Sequence, residues 1–458
     1  MERCCKQKSL NSQKTSALMT EGIIWKKIIF FAMPLVLGNL LQQMYNAVDS
    51  IVVGNYVGSD ALAAVTSSTS LTRLLIAFSQ GTAVGAGVVV SQCLGAKDQK
   101  GVQSAVHTAL AISGVLGLVL SAAGIFCSRY MLLWMHTPSE VLESAVSYLQ
   151  IYSGGLLFNV LYNMCAGILN AVGNSKRSLS CLAAASIINI LLDLILVGEL
   201  KLGVSGAAVA TDISQIIACM LALLFLVRTP ADYQVKLRQI CFHREFALKM
   251  LKIGLPTGIQ NMVISLSNVL VQSSVNDFGV TAMAGFGAHL KIDGFNIQPV
   301  MGIGMAATTF VGQNFGAEKI DRMKKGIWVT VILGIIYTTF TGILLLAFAE
   351  PILGLFTDDM EAIEYGKLAL KFFCPFYFIL GITQILAGAV RGTGRSIPPM
   401  VILLVSFCVC RVGWIRFIAP YFSTIAGIYV SYPVSWFIGM VLMILYTWKG
   451  KWTERVGT

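Results

Sequence analysis

A carboxylate lies inside the first long apolar run of the chain. Asp49 belongs to the run from Ile28 to Gly54, which is longer than the roughly 20 residues that a membrane-spanning helix needs. An ionisable side chain at bilayer depth costs about 2.5–3.5 kcal/mol on insertion scales, so it usually faces a protein interior or a water-filled cavity. Gln42 and Tyr45 share one helix face with Asp49. The pattern indicates a functional site; its alternative is a carboxylate that only hydrogen-bonds a neighbouring helix.

Other polar side chains inside apolar runs could complete an oxygen-rich site with Asp49. Asn189 and Asp193 are four residues apart and therefore share a face of the fifth predicted span. Thr211 and Asp212 add a hydroxyl and a carboxylate in the sixth span. Hard oxygen ligands suit a small alkali cation, and closely spaced carboxylates in a low dielectric can instead take up a proton. We therefore predict a cation-coupling site for Na⁺ or H⁺ formed by Asp49, Asn189, Asp193 and Thr211, with Asp212 in support.

The composition is that of a polytopic membrane protein. Of the 458 residues, 56% are hydrophobic and 12% are charged, whereas about 25% are charged in an ordinary soluble domain. Apolar runs between turn and charge clusters predict an all-α integral membrane protein with twelve transmembrane helices. The predicted spans are about 27–53, 61–91, 102–126, 146–170, 178–199, 204–228, 248–277, 282–312, 326–349, 367–391, 397–419 and 424–448.

The net charge of +11 indicates membrane orientation and not a nucleic-acid partner. Most of the 33 Lys and Arg residues fall in the N-terminal segment and in alternate loops, which places both termini in the cytoplasm by the positive-inside rule. The first apolar run is too long for a signal peptide and lacks a small-residue cleavage site. The eleven cysteines show no CxxC pair and no metal-ligand spacing, so no disulfide framework, zinc site or cofactor is expected beyond the coupling ion.

The chain repeats itself at an offset of about 221 residues. Pro34 corresponds to Pro256, SQCLGAKD to GQNFGAEK, and GILNAVGNSKRS to GAVRGTGRSIPP. Six spans per half insert both halves in the same orientation, which predicts a parallel repeat of two six-helix bundles that can rock around a central cleft. Each proline removes a backbone donor inside the first helix of its half and predicts a kink, either mobile or static.

The repeat and the basic segment between its halves set the predicted domain boundaries. The domains are a cytoplasmic N-terminal segment at 1–25, an N-terminal bundle at 26–228, a cytoplasmic linker at 229–247, a C-terminal bundle at 248–448 and a cytoplasmic tail at 449–458.

These blocks, in this order, resemble the multidrug and toxic compound extrusion family, from about Glu21 to Trp448. The resemblance implies a V-shaped pair of six-helix bundles around a central cavity. It also implies that a cation gradient drives export of amphipathic, often cationic, drug-like molecules. We expect a monomer in the lipid bilayer of a bacterial inner membrane, because a chain with its own internal repeat needs no second copy. In that family the cation site falls on the four coupling residues named above, with hydrogen-bonding positions at Gln42 and Tyr45.

The seventh span departs from some branches of that family, which carry an acidic residue there. Here the stretch after Pro256 reads GIQNMVISLSN and has no carboxylate. We therefore expect the first half to carry the ion. Asp293 with Lys291 could substitute in the C-terminal half, although the preferred interpretation is a neutral internal pair. Arg411, in the eleventh span, is expected to tie helices together through backbone carbonyls.

The predicted function is that of a secondary active transporter, not an enzyme, which exports small organic compounds by antiport with Na⁺ or H⁺ through alternating access. One alternative is a lipid-linked oligosaccharide flippase, which would be expected to carry more cationic residues in its cleft to meet a pyrophosphate. Another is a membrane enzyme acting on lipids. That enzyme would need a nucleophile and base or an HExxH metal helix, and the sequence shows neither.

Overall fold

The computed structural model describes residues 18–57, 59–135, 139–357, 359–422 and 424–454, and shows no strand among them. Twelve long helices, numbered here α1 to α12, account for most of these residues. They are Ile24–Tyr56, Ser59–Gly95, Gln99–Trp134, Ser139–Ala171, Ser175–Glu199, Gly203–Arg228, Arg244–Asn276, Val280–Gly316, Ile320–Ala347, Met360–Gly392, Ile397–Tyr421 and Ala426–Trp448. A short helix, Ala349–Leu353, precedes α10.

Ten of these helices, within the described parts of the chain, are long and apolar enough to cross a membrane. The other two are α7 and α8, with 33 and 37 residues, whose lengths exceed the roughly 20 residues that a span needs. Polar residues lower their hydropathy: α7 contains the stretch SLSN, and α8 carries His289, Lys291 and Asp293. The prediction of an all-helical membrane protein is confirmed.

The internal repeat is visible in the helix bounds. The helices α2 and α8 both have 37 residues, and they begin at Ser59 and Val280, 221 positions apart. The helices α1 and α7 both have 33 residues. The turns agree as well, because Lys97 and Glu318 share a left-handed φ of 58°, and Gly173 and Gly394 have φ of 85° and 90°. The repeat is therefore kept in these helices and turns of the two halves.

The chain forms two compact units, and the boundaries between these units fall inside helices α1 and α7. The first contains Leu37–Gly258, and the second contains Thr20–Val36 with Ile259–Thr458. In α1 the boundary lies two residues after Pro34, and in α7 it lies two residues after Pro256. Proline has no backbone N–H to bond the preceding turn, so both helices change unit where their hydrogen-bond ladder is interrupted.

In the first unit, the helix α4 packs against α2, α3 and α6. The buried cluster includes side chains from the beginning of α7, among them Met250 and Ile253. Glycines allow that beginning to approach α2. A Cβ added at Gly85 would lie 2.3 Å from the carbonyl oxygen of Met250, and one at Gly81 would lie 2.6 Å from the carbonyl oxygen of Gly254. Gly81 and Gly85 therefore serve helix packing, as small residues at this spacing commonly do.

In the second unit, α8 packs against α9 and α10, and α10 packs against α12. Phe373 lies at the centre of an aromatic cluster. Its ring centroid is 4.5 Å from those of His289 and Tyr432, and 5.6 Å from that of Trp436. Edge-to-face and tilted contacts at such distances add stability beyond the area buried. Aromatic rings therefore hold α8, α10 and α12 together in this unit.

We predict that Gly85→Ala destabilises the protein by about 1–3 kcal/mol, because the added methyl group forces α2 away from the α7 backbone. Gly114→Ala, in the interior of α3, is the matched control, since a Cβ there meets nothing within 4 Å. Thermal unfolding of the purified variants in detergent measures the effect. A Gly85→Ala protein as stable as Gly114→Ala would contradict the close approach of the two helices.

Candidate functional site

The predicted carboxylates Asp49 and Asp193 lie in the first unit and interact electrostatically. Asp49 comes from the second part of α1, and Asp193 comes from α5, one helical turn after Asn189. The Asp193 and Asn189 side chains are 0% and 1% exposed. The Tyr45 hydroxyl interacts with both carboxylates, and the Gln42 side chain is its hydrogen-bonding partner. The structure thus brings together five of the polar residues that the sequence singles out.

Several buried atoms of this cluster make no hydrogen bond to the protein. They are Oδ1 of Asp49, Oδ1 and Nδ2 of Asn189, and both carboxylate oxygens of Asp193. A buried polar atom without a partner costs about 1–3 kcal/mol, so such a group of atoms points to a ligand. Four of the five atoms are oxygens, which is the donor type that alkali cations take. The residues therefore fit a Na⁺ ion, and a proton bound to a carboxylate would also satisfy part of the set.

Apolar side chains pack next to the two carboxylates along α1 and α5. Val48 and Val52 of α1, on either side of Asp49, pack in one cluster with Tyr148 of α4 and Val197 of α5. The alanines of α6 at positions 207 and 208 complete this cluster. A cation that reaches the carboxylates is consequently attracted in a low-dielectric setting, where charges interact more strongly than in water.

A π-helical turn, Leu194–Glu199, begins directly after Asp193. π-Helical turns are rare in proteins, and those that occur often lie at functional sites. The second half has one at the corresponding place, Trp414–Ile418. Neither turn was predicted from the sequence, because an apolar run without a proline or glycine at its start gives no signal for the change in helix type.

Asp212 connects two helices of the first unit. Its carboxylate accepts a hydrogen bond from the backbone of Gly155 on α4, and a Cβ at Gly155 would lie 2.1 Å from Oδ1 of Asp212. Asp212 also interacts electrostatically with Tyr148 and Tyr152, whose rings stack with centroids 6.1 Å apart. The supporting position predicted for Asp212 is therefore next to α4, and Gly155 is a residue that the sequence analysis did not identify.

Thr211 is buried next to Asp212, with 7% of its surface exposed. Its backbone carbonyl accepts a hydrogen bond from Ser214. Among the described contacts, none joins the Thr211 hydroxyl to Asp49 or Asp193. The assignment of Thr211 to the cation site accordingly stays a prediction.

The neutral pair expected between Lys291 and Asp293 is wrong. Asp293 is buried and accepts a hydrogen bond of 2.5 Å from the Tyr377 hydroxyl, whereas Lys291 is exposed with its ammonium 5.6 Å from the ring centroid of Phe356. The reason is helix geometry: residues two apart are turned by about 200° around the axis and do not face each other. The Asp293 carboxylate therefore belongs to the interior of the second unit.

Arg411 ties helices together, as expected, but through side chains and not through backbone carbonyls. Its guanidinium donates to Oγ of Ser435 on α12 and to Oδ1 of Asn268 on α7, each at 3.0 Å. It also lies 4.1 Å from the ring centroid of Tyr432. Such a planar group satisfies several partners at once. This buried cation is therefore engaged within the second unit.

The chain is similar to known membrane transport proteins over most of its length. The MatE family model matches residues 34–195 and 256–414. The "Probable multidrug resistance protein YpnP" of Bacillus subtilis is 30% identical over 433 residues, covering 94% of this chain and 97% of that protein. The "Probable multidrug resistance protein NorM" of Thermotoga maritima is 26% identical over 438 residues, covering 94% of each.

One solved structure, described as "Crystal structure of MATE in the straight conformation", superposes with a TM-score of 0.89 at 22% identity. The superposition covers 95% of this chain and 98% of that one. At this identity the likeness concerns the fold, and it confirms the predicted fold class of an all-helical membrane protein built from two bundles.

We predict that Tyr377→Phe destabilises the protein by about 1–3 kcal/mol, since it leaves the buried Asp293 carboxylate without its hydroxyl donor. Tyr421→Phe removes the same atom from a side chain that is 87% exposed and should be neutral. Thermal unfolding of both variants in the same detergent compares them. Equal stability of the two would show that the Tyr377 hydrogen bond contributes nothing measurable.

Proposed function

The chain belongs to the MatE family of multidrug and toxic compound extrusion transporters, and on this premise we propose that it exports small amphipathic, cationic organic compounds by antiport with Na⁺ or H⁺. The family and the names of the relatives support multidrug efflux by a transporter, not an enzyme. The observation that carries the coupling proposal is the set of buried oxygens without protein partners on Asp49, Asn189 and Asp193.

Coupling requires that the ion stabilise one conformation more than another. A bound cation shifts a conformational equilibrium only by its difference in affinity for the two states. Asp49 and Asp193 come from different helices, α1 and α5, so a cation between them favours the arrangement in which these helices approach. The carboxylates repel when no cation is bound, which favours their separation. Loading and release of the ion would thereby drive alternating access.

The helix α1 can transmit this change. Its second part, from Leu37, carries Asp49 in the first unit, and its first part, Ile24–Val36, belongs to the second unit. Pro34 lies next to that boundary, where the missing N–H makes bending less costly. In this proposal, a shift of Asp49 toward Asp193 is accommodated near Pro34, with Pro256 at the corresponding place in α7.

The surroundings of the protein follow from charge. We place both termini in the cytoplasm of a bacterium, because Lys and Arg are concentrated in the N-terminal segment and in alternate loops. The expected partners are drug-like molecules and the lipid bilayer, with no nucleic acid. A chain with its own internal repeat needs no second copy to form a cleft, so we propose a monomer.

The oligosaccharide flippase alternative needs free cationic side chains to meet a pyrophosphate. Arg411, the buried arginine of α11, already donates to Ser435 and Asn268. The polar atoms left unpaired in the first unit at Asp49 and Asp193 are acceptors for a cation. The chemistry of Asp49, Asp193 and Arg411 therefore favours a cation-coupled exporter.

Asp49→Asn and Asp193→Asn should each reduce coupled export by more than about tenfold, because an amide keeps the size of the side chain but loses the charge that holds the cation. Ethidium movement in energised vesicles, with either a sodium gradient or a pH gradient imposed, measures the flux. Asp277→Asn is the matched control, since Asp277 is exposed just beyond the end of α7.

The sodium and pH gradients distinguish between the two possible coupling ions. Flux that follows only the sodium gradient identifies Na⁺ as the coupling ion, and flux that follows only the pH gradient identifies H⁺. If Asp49→Asn or Asp193→Asn transports as well as Asp277→Asn, the coupling assignment is wrong. Absence of gradient-dependent flux for every compound tested, with wild type equal to Asp49→Asn, would overturn the exporter proposal.

Pro34→Ala should slow transport more than it lowers expression, because restoring the backbone donor stiffens α1 beside the unit boundary. Transport rate per molecule of folded protein in vesicles is the measurement. Pro351→Ala, at an exposed position in the short helix before α10, serves as the control. A pure loss of expression, with an unchanged rate per molecule, would show that the bend at Pro34 is static.

A further inference from the structure

A cavity of about 610 Å³ lies where α5 begins and α6 ends, within the first unit. Its polar lining includes Asn174, Arg177, Arg228 and Tyr233, and its apolar lining includes side chains of α6. None of the coupling residues lines it. The cavity is therefore separate from the carboxylate site and has a chemistry of its own.

The cavity is cationic. Arg177 and Arg228 are exposed, and neither forms an ion pair with any residue that the structure describes. The Arg177 guanidinium lies 4.9 Å from the ring centroid of Phe225, which directs it toward α6. The acidic residue of the neighbouring segment, Asp232, does not line the cavity. Two arginines that line one cavity without a carboxylate favour an anion, and guanidinium groups suit phosphate in particular.

Neutral donors accompany the arginines. Tyr233 is 1% exposed, and its hydroxyl makes no hydrogen bond of normal geometry, its polar neighbour being the Asn174 side chain. Burial raises the pKa of the Tyr233 phenol, so this group remains a neutral donor.

An apolar surface continues from the arginines along α6. Leu221 and Leu224 line the cavity and are 38% and 47% exposed, and they lie in a predicted membrane span that ends at Arg228. The arginine therefore lies at the end of the span, and the leucines lie one to two turns deeper. This order of charge and apolar surface matches the headgroup and acyl chain of a lipid and does not match a free phosphate ion.

We propose that this cavity binds an anionic phospholipid, with its phosphate between Arg177, Arg228 and Tyr233 and its acyl chain along Leu221 and Leu224. Tyr233 belongs to the segment that joins the two halves of the chain. This segment is already held to the first unit, because the Val235 N–H donates to the Leu226 carbonyl at 3.1 Å. The bound lipid would link α5, α6 and this segment, whether or not the antiport proposal holds.

Native mass spectrometry of the full chain in detergent tests the proposal with three probes: phosphatidylglycerol, phosphatidylcholine of the same acyl chains, and inorganic phosphate. We expect preferential binding of phosphatidylglycerol. The double variant Arg177→Gln with Arg228→Gln should bind it about 30-fold more weakly, since each basic residue near an anionic lipid contributes about 1 kcal/mol. The control is Arg238→Gln with Lys252→Gln, which makes the same charge change at exposed positions and should bind like wild type.

Three results would overturn the proposal. Equal loss in the test and control variants would show that only overall charge matters. Equal binding of phosphatidylcholine would show that the headgroup charge is not recognised. Displacement of phosphatidylglycerol by inorganic phosphate at the same concentration would identify a free phosphate site. Tyr233→Phe gives a separate readout, since loss of the hydroxyl donor should weaken phosphatidylglycerol binding while the net charge stays the same.

Discussion

Two interacting carboxylates, the half-buried Asp49 and the buried Asp193, impose the constraint on which the first unit depends. Oδ1 of Asp49 and both oxygens of Asp193 are buried and make no hydrogen bond to the protein. Unpaired negative charges in a low dielectric are costly, and the ion or proton proposed to bind here would offset that cost. Tyr45 interacts with both carboxylates, a π turn follows Asp193, and an apolar cluster packs beside them.

The two units handle their buried charges differently. In the second unit, Asp293 is paired with Tyr377, and Arg411 is shared between Ser435 and Asn268. A buried polar group that is hydrogen-bonded to a neighbouring helix favours one arrangement of those helices. The repeat therefore preserves helices and turns while the buried charges differ, with unpaired carboxylate oxygens in the first unit and ties between helices in the second.

Periodicity explains what could be predicted from the sequence. The spacing of Asn189 and Asp193, like that of Tyr45 and Asp49, fixes which side chains share a helix face, and the apolar runs locate the helices. Local spacing does not determine which helices contact each other, so the contact between Asp212 and the backbone of Gly155 was not predicted. Proximity in sequence also misled, since Lys291 and Asp293 are neighbours along the chain but lie on opposite sides of α8.

The division of α1 and α7 between the two units bears on how the protein is made. The first unit includes Arg244–Gly258, whose glycines and apolar side chains pack against α2. Synthesis of the first six helices alone therefore leaves an exposed stripe of small residues on α2. That unit is complete only when the ribosome has added the beginning of the seventh helix. The second unit, in turn, has its first part, Thr20–Val36, in the membrane long before the rest exists.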